Sequence, residues 1–273
     1  KGTGLLACFI CPEVVEIIKK QIGIGTNRMT SLKANSCTTI KESANENKNF
    51  QNTEIEFRAG LGDFLKVAKT FITADRKSPA PISAIPVRSM DQQDLLSSTE
   101  DTIYRLGHST LLLRLDNEFI LIDPVFSERA SPVEWAGPKR FHQPPISIEN
   151  LPNIKVVIIS HDHYDHLDKS AIKQLDKKVD QFVTPLKVGK HLESWGVSSA
   201  KITELNWWQA TQLDSLEIIA TPAQHYSGRG LFDRDETLWA SWVIKSKQVN
   251  LFFSGDGGYF SGFKDIGNRY GPF

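Results

Sequence analysis

Apolar residues in the second two-thirds of the chain fall in short runs, each closed by a polar or turn-forming residue. Thr110–Leu115 and Glu118–Ile122 are β-rich runs separated only by Asp116-Asn117, which predicts a hairpin. Lys155–Ser160 carries Val-Val-Ile-Ile, the texture of a strand buried on both faces. Asp168–Leu175 reads as a helix. Phe182–Thr184 reads as a strand stopped by Pro185, and Leu186–Trp195 as a helix ended by Gly196. Lys201–Leu205, Leu216–Thr221, Leu238–Ile244 and Asn250–Phe253 are further strands. Strands with interspersed helices predict an α/β layered domain.

The texture differs before about Leu95. Val14, Ile18 and Ile22 recur every four residues between Glu and Lys, so 13–22 is expected to be a helix packing on the domain. Residues 34–53 are rich in Asn, Ser, Thr, Lys and Glu, which predicts a mobile segment. Leu61–Ile72 reads as a short helix, and Pro79, Pro81 and Pro86 mark a surface linker. The expected division is an extension over 1–95 and an α/β domain over 96–273.

Composition adds limits. Of 273 residues 40% are apolar, enough for a real core, and the 32 basic residues balance 32 acidic ones. No overall basic field argues for a nucleic-acid partner. Cys8, Cys11 and Cys37 form no disulfide framework, and Cys8/Cys11 have no second pair to complete a zinc site. Leu5-Leu6-Ala7-Cys8 looks like the end of a bacterial lipoprotein signal. That reading places the protein in the cell envelope or at a membrane, with a cytoplasmic location as the alternative. No apolar run reaches the ~20 residues of a membrane span. Oligomeric state is not legible.

The chemistry concentrates in His161-Asp162-His163-Tyr164-Asp165-His166, directly after the strand around 156–160. In an extended segment residues i and i+2 point the same way, so His161 and His163 can bind one ion together. Asp165 and His166 come where the chain turns into the next helix and can diverge towards a second ion. Thr221–His225 ends one strand with a histidine, and Ser254-Gly255-Asp256-Gly257-Gly258 ends another with an aspartate among glycines. The expected set is His161, His163 and His225 on the first ion, Asp165 and His166 on the second, and Asp256 bridging. Imidazole and carboxylate donors suit zinc, with iron or manganese as substitutes. Two ions sharing a carboxylate are typical of hydrolases, which makes Asp165 and Asp256 catalytic candidates. His108 is a candidate to touch a ligand carboxylate from behind, with a core role as the alternative, and Asp123 reads as structural or as a partner behind the ligands rather than as a direct metal ligand. His191 reads as a surface residue, and Trp207-Trp208 as a core pair rather than a lipid groove.

The motif H-x-H-x-D-H, a strand-end histidine and a later G-D resemble the metallo-β-lactamase superfamily. Gly107–Thr110, Ile122–Phe126, Ala136–Arg140, Ser160–Asp168 and His225–Arg229 are similar to the branch holding the N-acyl phosphatidylethanolamine-hydrolysing phospholipase D and its bacterial relatives. The similarity runs from about Tyr104 to Phe273, with Phe50-Gln51-Asn52 extending it upstream. It implies an αββα sandwich over 96–273, two zinc ions and cleavage of a phosphodiester, with a phospholipid or other small phosphodiester as substrate and peripheral membrane contact. Tyr164 is then a candidate donor to a substrate phosphate, with a packing aromatic as the alternative. A domain of this family normally continues beyond Phe273 and supplies one more histidine to the second ion, a role that His108, His142 and His191 do not match. The resemblance therefore implies an incomplete C-terminal part. The alternatives are a lactone or ester hydrolase of the same superfamily and a non-catalytic metal-binding interaction protein.

Overall fold

A computed structural model describes residues 49–54, 69, 73 and 80–273 apart from 231. The expected helix at 13–22, most of the helix at 61–72, the cysteines and the larger part of 34–53 lie outside these residues.

Helix α1 (Gln92–Ser97) starts on a capping box, in which the Asp91 side chain accepts from Asp94 N and the Asp94 side chain accepts from Asp91 N. It crosses the expected boundary at 95/96, and Leu95 on it is fully buried in the domain core. Strands β1 (Thr102–Arg105), β2 (Leu111–Leu115) and β3 (Glu118–Ile122) follow as an antiparallel meander. The β2–β3 connection is the two-residue turn that the sequence predicts. Asp116 (φ 51°) and Asn117 (φ 68°) both sit in the left-handed region, as a type I′ turn requires.

β4 (Ile154–Ile158), β5 (Val179–Pro185) and β6 (Ile202–Leu205) add parallel to β3, giving the six-stranded order β1-β2-β3-β4-β5-β6. Helix α2 (Lys169–Leu175) connects β4 to β5, and α3 (Gly189–Ser194) connects β5 to β6. The second sheet is antiparallel, in the order β10-β9-β8-β7: β7 (Ala210–Leu213), β8 (Leu216–Thr221), β9 (Ser241–Lys245) and β10 (Asn250–Phe253). Helix α4 (Gly262–Tyr270) closes the described chain.

Alternation of side chains assigns the layers. Leu111, Leu113 and Leu115 of β2 meet Ile218, Ala220, Trp242 and Ile244 of the second sheet in a core between the sheets. Leu112 points the other way, into a core with Leu95, Ile172 and Leu192 of the three helices. Ile219 and Val243 turn outward to Ile266 of α4 and to Phe260. Helix, sheet, sheet and helix layers make the expected αββα sandwich. β3, β8 and β10 have the bounds read from the sequence. β1, β7, α1 and α4 were not anticipated. β5 begins earlier than expected, at Val179, and includes Pro185 as its last residue.

Candidate metal centre

β3 and β4 run parallel, so the segments leaving their carboxyl ends emerge on the same side of the sheet. The segment after β4 carries the histidine motif, and the segments after β8 and β10 bring His225 and Asp256 to it. His161 Nε2 lies 2.9 Å from His163 Nδ1 and 3.1 Å from His225 Nε2, which is 3.2 Å from His163 Nδ1. Three ring nitrogens thus turn towards one another, a close approach that a shared cation relieves. Ligand atoms of His161, His166 and Asp256 form a second group, and those of His108, Asp165 and His166 a third, each within 4.8 Å. His166 Nε2 is buried without an aligned hydrogen bond, although Asp256 Oδ2 is 3.1 Å away. An orphaned buried nitrogen beside a carboxylate is what two ligands of one ion look like, so the donor set fits a pair of divalent cations. All six residues expected as ligands come together here.

The ring orientations are held from behind. Asp123 is fully buried, with φ 43°, and accepts Ser160 N at 2.7 Å and Ser160 Oγ at 2.6 Å. Its Oδ2 lies 2.7 Å from His166 Nδ1, which leaves Nε2 facing the centre. Asp123 therefore touches a ligand rather than standing among the ligands. Gly255 (φ +55°) lets the Asp256 loop pass close to Ser160, whose Cβ would sit 3.1 Å from a Cβ at that glycine. His108 Nε2 lies 3.2 Å from Asp165 Oδ2, so this histidine from outside the ligand motifs stands at the second site.

Electrostatics separate the two sides. Burial and the neighbouring histidines hold His161 well below its ordinary pKa, and burial lowers His163. Burial, with His163 beside it, takes His225 down to about 4. These rings are neutral, with lone pairs free, at neutral pH. Burial opposes charging of His166 too, but Asp123 and then Asp256 outweigh it and carry its pKa up to about 10. Burial would raise Asp165, yet the hydrogen bond from His108 and the nearby His166 keep it well below the carboxylate range.

One reading from the sequence needs correction, and the geometry bears on a second. His191 is not a plain surface residue: its Nε2 lies 3.4 Å from Asp162 Oδ2. Asp162, buried between two ligand histidines, also accepts Gly228 N and Thr237 Oγ1, both at 2.8 Å. Its sequence signal was an acidic residue inside the motif that the ligand count did not use. Tyr164 donates its hydroxyl to the carbonyl of Arg229 at 3.0 Å, and the Arg229 guanidinium lies 4.0 Å from its ring. The proton that a phosphate oxygen would accept is thereby committed to the protein, so the geometry gives Tyr164 a scaffolding part.

Residues 118–273 match the family model described as a Beta-lactamase superfamily domain. The chain is 47% identical over 168 residues to a protein of Mycobacterium tuberculosis, covering 61% of this chain and 45% of that one. It is 37% identical over 202 residues to the N-acyl-phosphatidylethanolamine-hydrolyzing phospholipase D 1 of Caenorhabditis elegans, covering 70% and 56%. The chain thus spans about half the length of these relatives. Among solved structures, the isothiocyanate hydrolase from Delia radicum gut bacteria shares the fold, with TM-score 0.50 and 22% identity over 62% of this chain and 68% of that one.

Proposed function

The chain belongs to the metallo-β-lactamase superfamily, and from that premise we propose that it is a two-metal phosphodiester hydrolase of the phospholipase D type. The substrate is N-acyl phosphatidylethanolamine or a related glycerophospholipid, and the metal is zinc. The observation that carries this reading is the pairing of a His161/His163/His225 group with an adjoining His161/His166/Asp256 group.

His161, His163 and His225 would hold one ion, Asp165 and His166 the other, and Asp256 would face both. Ions held in this way supply Lewis acidity and a water acidic enough to attack at neutral pH. The protein's own part is orientation. Asp123 fixes the His166 ring, and neutral His161, His163 and His225 present lone pairs. His161 and His166 are buried, whereas the side chains of Asp165 and Asp256 are 39% and 41% exposed. A centre backed by buried His161 and His166 and accessible on its carboxylate side suits a substrate better than a purely structural site does. Water attacks phosphorus, the bond to the ethanolamide oxygen breaks, and phosphatidic acid and an N-acylethanolamine leave. Similarity to the worm enzyme supports the phospholipid substrate. Peripheral contact with a membrane surface follows from such a substrate. Among the described residues no helix is long and apolar enough to cross a membrane.

The test is a substrate panel on zinc-loaded protein: N-acyl phosphatidylethanolamine vesicles, lactones and bis-p-nitrophenyl phosphate. Release of phosphatidic acid as the preferred reaction is expected. Preferential lactone opening would overturn the substrate assignment, and no turnover with both ions bound would point to a metal-binding protein without activity.

A further inference from the structure

The segment 49–54 lies far from the metal motifs in sequence and against them in space. Asn52 Nδ2 donates to the carbonyl of His225 at 2.8 Å, and His225 N donates to Asn52 Oδ1 at 3.0 Å, across 173 residues of chain. One side-chain amide therefore satisfies both backbone groups of His225, as a neighbouring strand would. The contacts around it belong to the same strip. Asn49 Nδ2 donates to Arg234 O at 2.8 Å and Phe50 N to Asp235 O at 2.7 Å. Gln224 Nε2 donates to Thr53 Oγ1 at 3.1 Å, and Ser261 N to Glu54 Oε1 at 3.0 Å. Gln224 also accepts from Gly258 N at 2.8 Å, two residues beyond Asp256. The strip thus spans the two loops that bring His225 and Asp256 to the centre.

We propose that Asn52 is a positioning residue of the metal centre: its amide fixes the backbone of His225, and with it the imidazole that faces His161 and His163. The inference rests on the reading of His225 as a ligand. Among the described residues of 222–240 no helix or strand forms; Gln224 bridges to Gly258, and the backbone N–H and C=O of His225 itself are held by Asn52. A bidentate amide removes freedom at the Cα from which that ring departs. Partners that orient a metal ligand typically account for ~10–100-fold in metal affinity.

The experiment titrates cobalt(II), which reports ligand geometry in its visible absorption, into metal-free wild type, Asn52→Ala, Asn52→Asp and His225→Ala. Asn52→Ala is expected to weaken the first cobalt ion about 10–100-fold and to change its spectrum. Its cooperative thermal unfolding without metal should be retained. Asn52→Asp keeps the side chain's size but sets a carboxylate oxygen against the His225 carbonyl, and it is expected to lose affinity as well. It carries the comparison should the alanine variant fail to fold. Wild-type affinity and spectrum in both Asn52 variants, with loss in His225→Ala, would overturn the proposal. Wild-type binding in His225→Ala would remove the ligand assignment beneath it, a separate result.

Discussion

At the scale of single residues, three of the proposed ligands have a partner that holds them: Asp123 behind His166, His108 beside Asp165 and Asn52 on the backbone of His225. Asp123 fixes His166, so Asp123→Asn should lower affinity for the second ion by ~10–100-fold while leaving the His161/His163/His225 ion in place. Stoichiometry by elemental analysis after dialysis checks this; unchanged second-site binding would contradict it. Protonation follows from the same pair. His166 is raised from an ordinary 6.5 to about 10 in the metal-free protein. Its contribution to stability is therefore present in full below about pH 6.5 and lost as pH rises through about 10. Metal-free protein should lose melting temperature over that window, and Asp123→Asn should lose less. Binding of the second ion at pH 8 should release about one proton, because the ion takes the Nε2 lone pair. Calorimetry in buffers of different ionisation enthalpy reads that release directly, and a buffer-independent heat would contradict it. Tyr164 gives a contrasting case. Tyr164→Phe should keep its metal and lose about 1 kcal/mol of stability through the Arg229 carbonyl. A raised KM at unchanged melting temperature would return it to the substrate. The six proposed ligands were legible in the sequence because ligand chemistry restricts residue type and spacing at once. The roles of Asn52, Asp162 and His191 were not, because their partners lie across the fold, outside any local spacing.

Among elements, legibility tracked how far local pattern decides structure. The β2–β3 hairpin was readable because Asp116-Asn117 tolerates the left-handed turn between two apolar runs. β8 was readable from a compact β-branched run. β7, Ala-Thr-Gln-Leu, is polar on an exposed edge and exists through pairing with β8; four residues with one large apolar side chain give too little pattern to read. Helix α1 spans six residues and carries one buried side chain, too little for a periodic signal. That one side chain matters nonetheless. Leu95→Ala should cost ~2–5 kcal/mol because it empties a fully buried position between α1 and the first sheet. Chemical denaturation checks this, and a loss under about 1 kcal/mol would place α1 outside the cooperative core.

For the whole molecule, the sandwich brings together loops from both sheets: one after β4 in the first, and those after β8 and β10 in the second. A centre built across that junction ties the proposed hydrolytic function to the packing of the core between the sheets, where Trp242 Nε1 donates to the carbonyl of Ile159 just ahead of the histidine motif. Metal should accordingly stabilise the protein as a unit, because ions that bind only the folded state shift the whole unfolding equilibrium. The location of the ions is the most direct test of this account. Crystals of zinc-loaded protein, measured at the zinc absorption edge, should show two anomalous peaks about 3.5–4 Å apart. One should be ligated by His161, His163 and His225, the other by Asp165 and His166, with Asp256 between them. A single peak, or two peaks on other residues, would contradict the two-metal centre.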